Sequence, residues 1–141
     1  MPALVQVIHP QDCLPDVASG PMHRQAAVSA ATVGARGLWL GHVQLGPGMV
    51  SAAHHHGDVE SAVYVVSGVA RFAFGDDLGE VVEAGPGDVV WVPPRVVHVE
   101  MNADDSEPVV VVVSRSSQDN VTINVPYPEG WPGGLAGPPR G

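Results

Sequence analysis

Three consecutive histidines, His54, His55 and His56, stand out in the chain, and a glutamate, Glu60, follows four residues after the last of them. Side chains alternate between the two faces of a β-strand, so His54 and His56 are predicted to point to one side and His55 to the other. Two imidazoles that project together are a natural chelate for a transition metal. The Gly-Asp pair that follows is predicted to turn the chain, which returns Glu60 beside the histidines and adds a carboxylate oxygen.

A fourth candidate ligand lies in a second segment, residues 87–102. A strand is predicted up to Val92, the Pro93-Pro94 pair turns it, and His98 lies on the returning strand. If the strands close into a barrel, this strand can approach the one that carries the first histidines. The sequence by itself leaves that approach open.

Together the two segments resemble the two motifs of the cupin superfamily. The first motif, Gly-x5-His-x-His-x(3 or 4)-Glu-x6-Gly, corresponds here to Gly48, His54, His56, Glu60 and Gly68. The second, Gly-x5-Pro-x-Gly-x2-His-x3-Asn, corresponds to Gly87, Pro93, Arg95, His98 and Asn102. The resemblance covers residues 48–102. It implies an all-β, double-stranded β-helix or jelly-roll barrel, in which a divalent metal is bound by His54, His56, Glu60 and His98.

The chain departs from the family pattern at two positions. Seven residues separate Glu60 from Gly68, where the motif has six, so the glutamate sits one place from its usual register. Arg95 replaces the second glycine of the second motif, so that turn must tolerate a side chain. Neither departure removes a ligand type.

Two further residues are candidates for catalysis. Glu100 shares strand parity with His98, and it is interpreted either as a general base or hydrogen-bond partner or as a solvated carboxylate. Tyr64 shares parity with Glu60, and it either lines the pocket or fills the barrel as an aromatic. Two pocket candidates share a face of the strand before the first motif: His42 and Gln44.

Imidazole and carboxylate ligands suit Fe, Mn, Ni, Zn, Co or Cu, so the identity of the ion stays open. Four protein ligands on an octahedral ion leave two positions, either for a substrate that chelates through two oxygens or for a substrate and dioxygen together. Three histidines and one glutamate resemble the ligand set of many cupin dioxygenases, so the first hypothesis is a metal-dependent oxidoreductase of dioxygenase type, acting on a small oxygenated molecule. The alternatives are a non-redox isomerase, lyase or decarboxylase that uses Glu100 or Tyr64 as acid or base, and a non-catalytic module that binds or senses a small ligand.

The elements that must position these residues are short. Gly and Pro account for 17 and 14 of the 141 residues and leave little room for a helix of ordinary length. Closely spaced Val-rich runs predict an all-β sandwich or barrel. The predicted strands cover residues 3–8, 26–33, 38–45, 50–56, 61–67, 69–74, 80–83, 89–92, 96–101, 109–114 and 121–125.

The chain is predicted to form a single barrel over residues 1–125, followed by a Pro/Gly-rich extension over residues 126–141. The extension is expected either to be flexible or to pack on the barrel or on a second subunit. Its candidate anchors are Tyr127 and Trp131.

Charge and composition exclude some partners. Fifteen acids face six arginines, for a formal charge of -9, so nucleic acid and anionic membrane surfaces are not expected to bind. Cys13 is the single cysteine, so no intrachain disulfide is expected, and the sequence shows no signal-peptide or membrane-spanning pattern. These features predict a soluble, cytoplasmic protein. The predicted metal site implies a small-molecule ligand or substrate, and the resemblance to cupins implies a homodimer.

Overall fold

A computed structural model of the chain describes residues 4–16, 22–119 and 121–133. The described residues form eleven strands, one α-helix and two 3-10 turns, which confirms the predicted all-β class. The strands, numbered in chain order, are β1 (Leu14–Asp16), β2 (His23–Val28), β3 (Trp39–Leu45), β4 (Ala53–His55), β5 (Ser61–Ser67), β6 (Ala70–Phe74), β7 (Glu80–Ala84), β8 (Val89–Val92), β9 (His98–Asn102), β10 (Val109–Arg115) and β11 (Ile123–Val125). The helix, α1, is Ala30–Val33, and the 3-10 turns are Pro10–Asp12 and Asp76–Leu78.

The strands form two antiparallel sheets that pack face to face. The six-stranded sheet has the order β1-β2-β3-β10-β5-β8, and the five-stranded sheet has the order β11-β4-β9-β6-β7. Many neighbours are far apart in the sequence, which is the connectivity of a jelly-roll. This crossing places β4 directly beside β9, so the two histidine-bearing segments meet.

Alternating side chains build the core between the sheets. In β10, for example, Val109, Val111 and Val113 are buried, while the residues between them are only half-buried. They pack with residues of both sheets, including Trp39 and Phe72. A second apolar cluster lies on the other face of the five-stranded sheet and consists of Ala53, Ala73, Leu78, Val99 and Met101.

The N-terminal strands differ from those predicted. Residues 4–8 form no strand, since they have β propensity but do not pair with a neighbouring strand, and residue 3 lies outside the described residues. The strand β1, which was not predicted, contains Pro15 and lies at the edge of its sheet. A proline is tolerated there because an edge strand has one side without ladder hydrogen bonds.

Residues 26–33, predicted as one strand, divide into the end of β2 and the helix α1. The Ser29 hydroxyl accepts a hydrogen bond from the Thr32 backbone N–H, and the Thr32 hydroxyl accepts one from the Ser29 N–H. Gly34 ends the helix in the left-handed region, with φ +71°. These two local caps outweigh the β propensity of the run.

The C-terminal segment packs on the five-stranded sheet. The strand β11 pairs with β4, the Tyr127 hydroxyl donates to the carbonyl oxygen of Ser51, and Tyr127 stacks on Trp131 with ring centroids 5.0 Å apart. Trp131 also contacts the second apolar cluster. The rest of the predicted extension, residues 134–141, lies outside the described residues. Among the residues described, no helix has the length and hydropathy needed to span a membrane.

Candidate metal centre

Three histidine side chains meet between the two sheets. His54 lies on β4, His56 directly follows that strand, and His98 begins β9. His54 is opposite His98 in the register of the two strands. Ring nitrogens of the three residues lie within 4.8 Å of one another, and all three side chains are buried. The structure thus brings together the three histidines singled out in the sequence.

The second ring nitrogen of each histidine fixes its orientation. Each Nδ1 lies within hydrogen-bonding distance of a main-chain carbonyl oxygen: Ala52 for His54 (2.7 Å), Val121 for His56 (2.8 Å) and Val96 for His98 (3.0 Å). A carbonyl oxygen only accepts, so we assign the ring proton to Nδ1 in each case. The lone pair of each Nε2 is then free to bind an ion, the arrangement found for histidine ligands in metalloproteins.

Electrostatics keep two of these imidazoles neutral. Burial lowers the pKa of His54 below its ordinary value. Burial, together with the positive charge of Arg115, lowers the pKa of His56 to about 3. A metal binds only deprotonated imidazole, so both side chains are in the ligating form at neutral pH.

Glu100 lies beside the third histidine, on the same face of β9. Its Oε1 is 3.6 Å from His98 Nε2, and both side chains are largely buried. Burial alone would lower the pKa of His98, but the adjacent carboxylate outweighs this effect and raises it. Burial alone would raise the pKa of Glu100, but the interaction with His98 outweighs it and lowers that pKa to about 2. Glu100 is therefore an ionised, buried carboxylate at the centre.

The structure does not bring Glu60 into this group, which corrects the ligand set expected from the motif. Glu60 is exposed, and its Oε1 accepts a hydrogen bond from Trp91 Nε1 at 3.0 Å. The cause is the one-residue shift noted in the sequence. Glu60 directly precedes β5, so the alternation of that strand turns its side chain outward.

Ser61 occupies the inward position instead. It is 4% exposed, and its Oγ has no hydrogen-bond partner among the described residues. It lines the same small cavity as the three histidines and Glu100. Exactly six residues separate Ser61 from Gly68, which is the motif spacing, so this count is the signal by which the sequence could have identified Ser61.

Three other predicted pocket residues face outward. Tyr64 shares the parity of Glu60, as predicted, but its side chain is 47% exposed on the outer face of β5. His42 and Gln44 are exposed on the outer face of β3. The structure places none of these three side chains at the histidine cluster.

Two arginines that the sequence analysis did not single out line the centre. Arg24 and Arg115 are 4% and 8% exposed, and both border the cavity of the histidines. Their guanidinium carbons lie 4.8 Å and 5.3 Å from the centroid of the Trp39 ring, and Arg24 is 3.6 Å from Asp16. Burial, together with the charge of Arg24, lowers the pKa of Arg115 to about 10. The sequence signal was the parity of Arg115 with the buried valines of β10.

The Trp39 ring needs the absence of a side chain at Gly41. A Cβ at that position would collide with the ring of Trp39 and with the main-chain oxygen of Gln25. The indole thus lies across Gly41, where both guanidinium groups reach it. This contact explains how two like charges are held together inside the barrel.

Two turns next to the histidines are joined to each other. Arg95 has φ +64°, so the turn does accommodate a side chain where the motif has glycine. Its backbone N–H donates to the oxygen of Gly57 at 2.8 Å, and its guanidinium lies 2.7 Å from Asp58 Oδ1. The turn after His56 is thereby tied to the turn before His98.

Comparison with known proteins gives a consistent assignment. A family model of the cupin domain matches residues 41–114, slightly more than half of the chain. No match was found among curated proteins.

Solved structures resemble the chain at low sequence identity. The polyketide cyclase RemF from Streptomyces resistomycificus has a TM-score of 0.72 and 19% identity over 86% of each chain. KdgF from Halomonas sp. has a TM-score of 0.64 and 16% identity, over 83% of this chain and 97% of that one. Oxalate decarboxylase from Bacillus subtilis has a TM-score of 0.68 and 18% identity, over 86% of this chain but only 33% of that one. At these identities the likeness shows a common fold.

Proposed function

The chain belongs to the cupin family, and from that premise we propose that it is a metal-dependent enzyme acting on a small oxygenated molecule. In this proposal His54, His56 and His98 hold a divalent transition-metal ion, and Glu100 moves a proton of the substrate. The observation that carries it is the convergence of three buried imidazoles beside a largely buried carboxylate.

The donor atoms fit such an ion. His98 Nε2 is buried and has no hydrogen-bond partner, because the 3.6 Å to Glu100 is too long for a hydrogen bond. A buried polar atom without a partner is costly, and a bound ion would satisfy it. Imidazole suits Fe, Ni, Cu, Co and Zn, and oxygen atoms of a bound substrate would also allow Mn.

Proton transfer follows from the position of Glu100. A bound ion would act as a Lewis acid and stabilise negative charge on a substrate oxygen. The Glu100 carboxylate lines the cavity, so it can accept a proton from a carbon next to that oxygen. An isomerase, lyase, cyclase or decarboxylase would use this step.

The charges around the cavity favour an anionic intermediate. Two guanidinium groups, Arg24 and Arg115, face two carboxylates, Asp16 and Glu100, so their formal charges cancel before an ion binds. A divalent ion then adds two positive charges. An enolate or carboxylate ligand would offset them, and fixed positive groups of this kind stabilise developing negative charge.

A dioxygenase is the second candidate. The clustered ligands are three imidazoles, a donor set that suits redox-active iron or copper as well as zinc. Oxygen uptake by iron-loaded protein would then accompany substrate loss. Dimer formation and a cytoplasmic location stay predictions.

The test begins with elemental analysis of untreated protein, followed by loading with Zn, Mn or Fe. Exchange of the acidic carbon-bound proton of 1,3-diketones and 2-oxo acids with D2O is followed by NMR, and dissolved oxygen is followed in parallel. The Glu100→Gln variant should retain the ion, and its rate of proton exchange should be lower by about 100-fold or more. Glu60→Gln is the matched control and should change neither.

Two results would count against the proposal. The three histidines are not a metal site if the wild type retains no ion, or if His54→Ala retains it as well as the wild type does. If Glu100→Gln exchanges protons as fast as the wild type, Glu100 is not the base. Oxygen uptake without proton exchange would select the dioxygenase.

A further inference from the structure

A second cavity, of about 310 Å³, lies next to the histidine centre. It is bordered by the edge strands β7 and β8 of the two sheets and by β6. Apart from His98, the side chains that line it are apolar or aromatic, among them Phe72, Phe74, Val82, Val90 and Val96. We call this space the apolar chamber.

The chamber and the histidine centre share walls. His98 and Val92 line both the chamber and the small cavity between the histidines. In the sheet register, Phe74 is directly opposite His98, and Phe72 is directly opposite Glu100. On this face of the sheet, the two ionisable side chains and the two phenyl rings of the chamber wall are therefore direct neighbours.

The two spaces differ greatly in size. The cavity between the histidines has about 20 Å³, which is room for one water-sized group. A substrate can place little more than its reacting end there. The chamber is the adjoining space, and its volume is at the lower end of the range of small-molecule pockets.

We propose that the apolar chamber binds the body of the substrate, so that the substrate class is an oxygenated molecule with an aromatic or branched aliphatic group. The inference that the substrate has an oxygenated end rests on the proposed function. The inference that its body fits the chamber does not require a bound ion. An apolar cavity of about 150 Å³ holds one benzene ring, so this space accommodates one ring together with a second ring or a branched chain. A small dicarboxylate would leave the chamber empty, because a carboxylate placed there would be desolvated against carbon without a partner.

The walls of the chamber argue against a merely structural void. The space opens to solvent beside Trp91, which is 62% exposed, so its apolar walls face water unless a ligand covers them, and covering them would release free energy. A space of this size beside the only histidine cluster found among the described residues is accounted for if a ligand fills it.

The experiment compares two ligands that differ only in their body. Benzoylacetone carries a phenyl group where acetylacetone carries a methyl group. Calorimetric titration of zinc-loaded protein should show benzoylacetone binding at least about tenfold more tightly. In metal-free protein, toluene should produce NMR shifts of the chamber methyl groups.

Two variants on one strand locate the effect. Val90 faces the chamber, whereas Val89, its neighbour on β8, is 64% exposed on the other face. Val90→Phe should lower the affinity for benzoylacetone by about tenfold or more and remove the NMR shifts caused by toluene. It should leave the affinity for zinc unchanged. Val89→Phe should change none of these.

The two proposals fail separately. Zinc binding without a preference for the phenyl group, or a preference that Val90→Phe leaves intact, overturns the chamber proposal. Toluene binding that depends on Val90, in a protein that binds no zinc, upholds the chamber and overturns the metal centre. The comparison of benzoylacetone with acetylacetone uses the wild-type protein, so it tests the proposal even if Val90→Phe does not fold.

Discussion

Replacing Asn102 with alanine should destabilise the fold while leaving every candidate metal ligand in place. Asn102 is fully buried at the end of β9. Its side-chain amide contacts three main-chain oxygens: Leu45 at 3.3 Å, Gly46 at 3.2 Å and Glu107 at 2.7 Å. Its Oδ1 accepts a hydrogen bond from the Asp104 N–H at 3.0 Å. One side chain therefore joins β9 to the end of β3 and to the loop that precedes β10.

The magnitude follows from these contacts. An amide nitrogen has two hydrogens, so the three oxygens share two full hydrogen bonds, and Oδ1 makes a third. At about 1 kcal/mol net for each, the loss is about 3 kcal/mol. For a domain of this size, that loss lowers the melting temperature by about 10 °C.

Urea unfolding followed by tryptophan fluorescence, with a thermal melt, measures the effect. Ser106→Ala is the control, because the Ser106 hydroxyl binds Asp104 in the same loop but is exposed, and it should cost less than about 0.5 kcal/mol. If Asn102→Ala lowers the free energy of unfolding by less than about 1 kcal/mol, at an unchanged dependence on urea concentration, this side chain does not stabilise the fold by joining the three segments.

Three other substitutions test single features of the site. Gly41→Ala should cost about 2 kcal/mol or more in a thermal melt, because the new methyl group collides with Trp39; a neutral result would mean that the ring moves aside. Arg95→Gly should leave stability equal or raise it by up to about 1 kcal/mol in urea, because it relieves a positive φ and removes only an exposed ion pair. His98→Ala should lower zinc affinity at least about 100-fold in calorimetry, whereas Glu60→Gln should leave it within about twofold; equal losses would contradict the ligand set.

Much of the fold was predictable because strand patterns are local. The strand over residues 61–67 was predicted with its observed limits, and so was that over 89–92. Both have β-branched residues between turn-forming ones. The errors at 4–8 and at β1 arose because pairing decides whether a run becomes a strand, and pairing involves residues distant in the sequence.

The site was predictable in part for a similar reason. Spacing alone identified His54, His56 and His98, since alternation along a strand and the motif intervals are both counted along the chain. Ser61, and not Glu60, points inward because β5 begins at Ser61. A shift of one residue in a strand exchanges its inward and outward side chains, and the sequence did not fix the start of β5 that closely. The parity of Arg115 with the valines of β10 indicates an inward side chain, but the groups that Arg115 meets inside the barrel come from strands distant in the sequence.

The carbonyl group that orients His56 belongs to Val121, 65 positions further along the chain. Proteins are made from the amino end, so this imidazole emerges long before its partner does. In the meantime β4 also lacks β11, one of its two neighbours. An ion that arrives during synthesis therefore meets a ligand whose tautomer is not yet selected. Metal uptake is expected to be a late event in maturation, after the last strand has docked.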